Sequence, residues 1–243
     1  MTFTAFFDIN NTLVTIPLGS GYDMSWIEAI GTLFGLLCIW YASQEKTINY
    51  LFGLLNVSLF AILFYQIQLY GLLLLQVFFF VANVYGWYAW TRPNEHGETL
   101  EVRWMSPKKQ TVTLVISIVA VALMTLYIDP IFVALTHLSL ELLSVFGVVL
   151  PAPELEPDSY PFWDAAITIL SIVAQILMTR KYVENWILWV AINLLSIGVY
   201  TAQGVYALSV EYLILLFIAI HGTREWVATA KQRKAPTGKE LHV

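Results

Sequence analysis

Charge is what this sequence has least of. Asp, Glu, Lys and Arg make up 12% of its 243 residues, against about a quarter in a soluble domain. With 58% hydrophobic residues and a mean hydropathy of +0.70, the chain belongs in a bilayer. A single cysteine, Cys38, excludes an intrachain disulfide and reads as a small buried apolar residue. The net charge of −5 leaves no basic face for nucleic acid. The N-terminal "MTFTAFFDINN" lacks the positive region of a signal peptide and is read as part of the mature chain. Catalytic signatures are missing too. His96, His137, His221 and His242 are scattered over loops and apolar runs, and there is no H-E-x-x-H, G-x-S-x-G or phosphate-cradling glycine loop. An enzyme is therefore disfavoured, and no metal or cofactor is expected.

What remains is apolar length. A spanning helix needs about 20 mostly apolar residues, and runs of that kind lie near 25–43, 47–66, 69–91, 109–128, 161–180, 185–203 and 206–226. Two connections are long: the polar "RPNEHGETLEVRWMSPK" (92–108) and the segment 129–160, which ends in the acidic "APELEPDSY". Residues 131–150 are apolar enough for an eighth span, but orientation argues for a helix that lies on or caps the membrane surface. With seven spans, all twelve Lys and Arg fall in 44–46, 92–108, 181–184, the C-terminal tail or the helix ends beside them. This positive-inside pattern places the N-terminus outside and the C-terminus in the cytoplasm. An eighth span would carry Arg180, Lys181 and the tail outward.

The chain also repeats. An ungapped shift of 136 residues pairs Glu28 with Asp164, Thr32 with Thr168, Asn49 with Asn185, Tyr70 with Tyr206, Gly86 with Gly222 and Trp90 with Trp226. Each copy holds three spans, 25–91 and 161–226. Three is odd, so an intervening helix must restore the direction of the second copy. The predicted fold class is thus all-α integral membrane, with seven transmembrane helices as two parallel three-helix repeats joined by a linker helix (3+1+3). The divisions are an external segment 1–24, a first repeat 25–91, a linker region 92–160 containing the helix 109–128, a second repeat 161–226 and a basic tail 227–243. Parallel repeats about an axis along the membrane normal occur in transporters, with substrate at the interface.

Polar side chains within hydrocarbon are costly, an ionised one by at least about 2.5–3.5 kcal/mol at mid-membrane, so their positions mark candidate binding groups. Gln76, Phe79 and Asn83 share a face of the third span. Trp186, Trp189 and Asn193 follow the same spacing in the sixth. Asn56 and Gln175 lie in the second and fifth spans. Glu211 and Tyr212 lie in the seventh, Tyr212 being the repeat-mate of Gln76. Trp186, beside Arg180 and Lys181, fits the headgroup belt as well as a ligand contact, and buried amides also serve as interhelical ties. No Lys or Arg lies deep in a span, whereas Glu211 does, and Glu28 and Asp164 sit near the outer ends of their spans. Carboxylates, amides and aromatic faces suit a planar, polar, neutral or cationic solute, not a phosphate ester, which asks for a basic group or a helix N-terminus.

The stripe Trp186-x-x-Trp189-x-x-x-Asn193, the segment "VANVYGWYAW" (81–90) and the 3+1+3 layout resemble the PnuC family of vitamin transporters over all but residues 1–24 and the tail. The resemblance implies a carrier for nicotinamide riboside in the bacterial inner membrane and a fold similar to a full-length, duplicated SWEET transporter. It also implies a homotrimer. Transport would be facilitated diffusion, with a cytoplasmic riboside kinase trapping the product. Related members carry other B vitamins such as thiamine. A receptor that binds without translocating is the competing class, but a tail of about 17 residues is too short for an output domain.

Overall fold

The computed structural model describes residues 3–17, 21–93 and 99–234. Residues 94–98 of the polar loop, with His96, and the tail beyond 234, with His242, lie outside the described residues. Lipid offers no partner for backbone N–H and C=O groups, so apolar runs of this length must close their hydrogen bonds within helices. Seven of the described helices are long and apolar enough to cross a membrane. They are α2 (Trp26–Ser43), α3 (Asn49–Gln66), α4 (Tyr70–Thr91), α5 (Pro107–Val145), α6 (Pro161–Thr179), α7 (Glu184–Ala202) and α8 (Tyr206–Lys234). Ahead of them lie a four-residue helix α1 (Phe3–Phe6) and an antiparallel pair, β1 (Thr12–Ile16) and β2 (Tyr22–Ser25), and an isolated parallel bridge joins Arg103 to Tyr182.

Local chemistry sets the helix boundaries. The Ser25 side chain accepts the Glu28 N–H at 3.4 Å and caps α2. Pro107 and Pro161 open α5 and α6, where a missing N–H costs nothing. Helix stops recur at the repeat offset. Glu45 and Lys181 take left-handed φ values of 56° and 54° just past α2 and α6, and Gln68 and Gly204 take 61° and 77° past α3 and α7. Each pair is 136 positions apart.

The fourth span ends near where expected: α5 is two helices that meet at a kink at Tyr127 (φ −125°, ψ 22°), and the second, in the place of the helix expected over 131–150, ends at Val145. Pro130 explains the kink: it donates no N–H to the Leu126 carbonyl, and its ring crowds the preceding turn. The bend folds the second half of α5 against the start of α4. There Phe132 fills the space beside Gly71, and Ser139 donates to the Tyr70 carbonyl at 2.9 Å.

Helices α2–α4 and α6–α8 meet through α2 against α8 and α4 against α6, two contacts that the 136-residue offset interconverts. Around the ends that carry the basic loops, Tyr50, Trp90, Trp186 and Trp226 form one buried core. The Trp90 indole donates to the Met178 carbonyl at 3.3 Å, and the Trp226 indole donates to the Ala42 carbonyl at 3.2 Å. Donor and acceptor in one bond are the repeat equivalents of donor and acceptor in the other. Likewise Gly86 lies flat against Tyr50, and Gly222 against Trp186.

Candidate functional site

The two three-helix units enclose a cavity of about 690 Å³, within the range of a small-molecule site. Its wall repeats the offset. Ile39 and Gln175, Gly53 and Trp189, Leu72 and Leu208, Gln76 and Tyr212, and Phe79 and Leu215 all line it, and each pair is 136 positions apart. Apart from Leu72 and Leu208, the pairs are chemically unlike. Where one half has Gly53, the other has the indole of Trp189; where one has Ile39, the other has the amide of Gln175. A near-symmetric shell thus holds an asymmetric set of binding groups, as a solute without symmetry requires.

Eight of the ten residues expected from sequence line this cavity: Gln76, Phe79 and Asn83 from α4, Asn56 from α3, Gln175 from α6, Trp189 from α7, and Glu211 and Tyr212 from α8. Asn83 donates to the Phe79 carbonyl at 2.8 Å, and Asn56 donates to the Gly31 carbonyl at 2.8 Å. Each bond fixes an amide while leaving its carbonyl oxygen for a ligand donor. The Trp189 Nε1–H is buried without a hydrogen-bond partner. Such an orphan donor beside a cavity is the group a ligand acceptor would satisfy.

Two expected residues stand elsewhere. Trp186 is 0% exposed and does not line the cavity; its ring meets Trp226 edge-on, with centroids 5.8 Å apart. One turn of α7 separates it from Trp189, and over that turn the neighbouring surface changes from the Gly222 face of α8 to open space. Neither the headgroup belt nor a ligand contact describes it, because both need an exposed ring. Asn193 is 4% exposed and is not among the lining residues.

Sequence reasoning passed over other lining groups. Tyr200 continues the α7 stripe three turns beyond Trp189 and stacks on Tyr212, with centroids 5.3 Å apart. Periodicity along α7 would have found it. Cys38 faces the cavity near Gly35 and Gly53, so it is a wall residue and not core filling. Glu28 also lines the cavity, whereas its repeat-mate Asp164 does not. Tyr22, Asp23 and Ser25 reach the cavity from β2, and no periodic signal marks a contribution from so short a hairpin. Burial, and then the hydrogen bond to Glu28, push the Tyr22 hydroxyl well above its ordinary pKa, so it remains a donor at neutral pH.

Electrostatically the cavity has one sign. Asp23, Glu28 and Glu211 line it, and none of its lining residues is Lys, Arg or His. At the end with the basic loops the lining stops at Ala42 and Met178, the residues whose carbonyls accept the two tryptophan bonds. Lys181 closes that end, 3.4 Å from Glu45 and 4.5 Å above the Trp90 ring. Among the described residues no cluster of His, Cys, Asp and Glu is arranged to hold a metal ion.

Residues 25–228 match a family model described as nicotinamide mononucleotide transporter. A nicotinamide riboside transporter PnuC from Escherichia coli (strain K12) is 54% identical over 94% of this chain and 96% of its own length. A nicotinamide riboside transporter PnuC from Neisseria mucosa is 28% identical over 86% of this chain and 74% of its own length. Among solved structures, a crystal structure of the vitamin B3 transporter PnuC superposes with a TM-score of 0.59 at 26% identity, covering 85% of this chain and 83% of that one. The seven spans, the cavity between two related halves and these similarities lead to one assignment: the chain is a multi-pass membrane protein and belongs to the PnuC family of transporters.

Proposed function

We propose that this protein takes up nicotinamide riboside across the bacterial inner membrane by facilitated diffusion, with the N-terminus outside and the C-terminus in the cytoplasm. The observation that carries this reading is the charge of the cavity: three carboxylates line it and no basic side chain does. Nicotinamide riboside presents a cationic pyridinium, a carboxamide and ribose hydroxyls. Glu211 and Glu28 offset the positive charge, Trp189, Tyr200 and Tyr212 offer aromatic faces that attract cations by about 0.5–2 kcal/mol, and Gln76, Asn83, Asn56 and Gln175 supply amides for the carboxamide and hydroxyls. A mononucleotide adds about −1.5 to −2 charges at neutral pH among those carboxylates, with no cation to receive them. The riboside named for the relatives therefore fits better than the mononucleotide in the family description.

The same logic gives the transport cycle a direction. The two repeats of the 3+1+3 arrangement rock about the cavity and open it to each side in turn. A cytoplasmic kinase then adds the phosphate that the cavity does not accept, and uptake proceeds down the gradient. The homotrimer implied by the sequence resemblance belongs to this reading. Binding to the purified protein of nicotinamide riboside, nicotinamide mononucleotide and thiamine, measured side by side, tests it. Riboside binding at least tenfold tighter than the other two is expected; equal binding of the mononucleotide would overturn it.

A further inference from the structure

We propose that Arg92 and Arg180 bind the headgroup phosphate of an anionic phospholipid, on the seam where α4 of the first half meets α6 of the second. The site faces the bilayer. None of its residues lines the cavity, and it holds whatever solute is carried.

Arg92 and Arg180 cap the C-terminal ends of α4 and α6, so both stand at the end with the basic loops. Each guanidinium lies over an exposed ring of α4: Arg92 is 5.2 Å from the Tyr88 centroid, and Arg180 is 5.3 Å from that of Tyr85. The two tyrosines are three residues apart and neighbours on one helix face, so their rings set the two cations side by side. Arg92 spends one donor on the Tyr88 hydroxyl, at 2.6 Å. Among the described residues the ion pairs are Glu45–Lys181 and Glu101–Arg233, and neither arginine of the seam has a carboxylate. Two exposed guanidiniums without a counter-charge are the donor set that a phosphodiester accepts through its unesterified oxygens. Towards mid-membrane the face of Tyr88 continues as Val84, Val81 and Val77, and Ile176 stands one turn from Arg180; all are exposed. A pair of cations above an apolar stripe matches a lipid, phosphate above and acyl chain below. A soluble anion has no use for the stripe.

The other seam between the halves, α2 against α8, is built differently. There the repeat sets Gln44 in the place of Arg180, Ala228 in that of Arg92 and Arg224 in that of Tyr88, which leaves one arginine. The equivalents of Ile176 and Tyr85 are Trp40 and His221, whose rings stack on each other with centroids 5.1 Å apart. One seam is thus joined by a ring stack, and the other presents two cations to lipid. Arg92 ends a helix of the first half and Arg180 a helix of the second. A phosphate held by both therefore ties the halves together along this seam.

Native mass spectrometry of the full-length chain in detergent, titrated with phosphatidylglycerol or phosphatidylcholine, reads lipid binding and oligomer mass together. The chains compared are wild type, Arg92→Gln, Arg180→Gln, both together, and Lys108→Gln with Lys109→Gln, which removes two cations from the same end. Wild type should hold phosphatidylglycerol about fivefold more tightly than phosphatidylcholine, the weight of one charge at the membrane surface. Each arginine variant should weaken that binding about tenfold, the lower end for a hydrogen bond to a charged group. The double variant should lose little more than either single one, because a phosphate held between two arms is released when one goes. The lysine variant should stay within about twofold of wild type, by screening alone. Melting temperatures without lipid show which variants fold. Arg180→Gln decides alone if Arg92→Gln misfolds, since among the described residues the Arg180 side chain makes no hydrogen bond. Equal losses in the arginine and lysine variants would overturn the site in favour of a diffuse belt of charge. A double loss of about a hundredfold, the product of the singles, would overturn the tie between the halves. Displacement of the lipid by soluble glycerol phosphate at comparable concentration would overturn a lipid as the occupant. So would an altered oligomer mass in the arginine variants with no lipid retained by wild type, which would assign the face to a second copy.

Discussion

Glu45 and Lys181 occupy the same position in the two halves of the chain, 136 residues apart, and pair with each other at 3.4 Å. Both adopt left-handed backbone, at φ 56° and 54°, so each side chain leaves its helix end in the same local direction and turns towards the axis between the halves. Burial lowers the Lys181 pKa and the Glu45 carboxylate opposes that fall, as expected for an ammonium held over the Trp90 ring. Removing Lys181 strands a mostly buried carboxylate. Lys181→Ala should destabilise the closed end by about 1–3 kcal/mol, between the limits for exposed and fully buried pairs. It should also speed labelling of Cys38 by a membrane-impermeant methanethiosulfonate from the face that carries the basic loops. The swap Glu45→Lys with Lys181→Glu should restore much of the loss, because the relocated lysine meets Trp226, the equivalent of Trp90. Thermal unfolding in detergent and labelling rates check both statements; a swap no better than either single variant would show that the pair is not related by the repeat.

Hydropathy made the starts of the seven spans legible to within about two residues, because in lipid the helix is the only way to close an isolated apolar backbone; α8 runs on past the expected end at 226 to Lys234. The 136-residue offset was legible from sparse identities such as Gly86 with Gly222 and Trp90 with Trp226. Its strongest sign was hidden in sequence: Tyr50 and Trp186 differ in type but fill the same place against those glycines. Trp186 and Trp189 part company in the structure because helical periodicity shows which residues share a face, not what that face meets one turn away. The bonds of Gln66 to Ile9 and Phe7 were hidden for a related reason: they join residues 57 and 59 positions apart, and no local pattern links them. The break in α5 was legible at Asp129 and Pro130, whereas the direction in which its second half folds, against the start of α4, was not.

Trp186 and Trp189 should behave differently under the same substitution. Trp186→Ala opens a void in the fully buried core and should cost about 3–5 kcal/mol of stability. Riboside affinity should be nearly unchanged in the fraction that remains folded. Trp189→Phe keeps an aromatic face and removes the orphan N–H donor. It should leave thermal stability within about 1 kcal/mol and weaken binding about five- to tenfold, the net worth of one hydrogen bond. Isothermal titration and unfolding on the same preparations separate the two. An affinity loss in Trp186→Phe with stability intact would return that residue to the site.

The acidic lining predicts a charge-dependent selectivity. Glu211→Gln retains shape and hydrogen-bonding capacity while removing one negative charge from the cavity. Affinity for the cationic riboside should fall about tenfold, whereas the neutral, reduced riboside should bind within about twofold of wild type. That contrast is the order expected for one partly solvated charge pair. Glu28→Gln should act in the same direction and more weakly, since Tyr22 already occupies that carboxylate. Competition uptake with the oxidised and reduced forms measures the ratio directly. Equal losses for both forms would mean that Glu211 holds the helices and does not read charge.

Two glycines, with a third as contrast, test whether helices pack at equivalent places within the two halves. A Cβ on Gly222 would stand 2.6 Å from Cδ2 of Trp186, and one on Gly86 would stand 2.6 Å from Cζ of Tyr50. Neither ring can retreat, since both are fully buried. Gly86→Ala and Gly222→Ala should therefore each cost about 1–3 kcal/mol by overpacking. A smaller partner should recover part of it: Tyr50→Leu for the first and Trp186→Phe for the second, with coupling of about 0.5–3 kcal/mol in each cycle. Gly198 is the contrast. It lies inside α7 with nothing within 4 Å of the added atom, so Gly198→Ala should raise stability by about 0.4–1 kcal/mol through the unfolded chain alone. A loss at Gly198 like that at Gly222 would mean that α7 flexes there during transport, because only an alternative packing absent from this conformation could supply the clash.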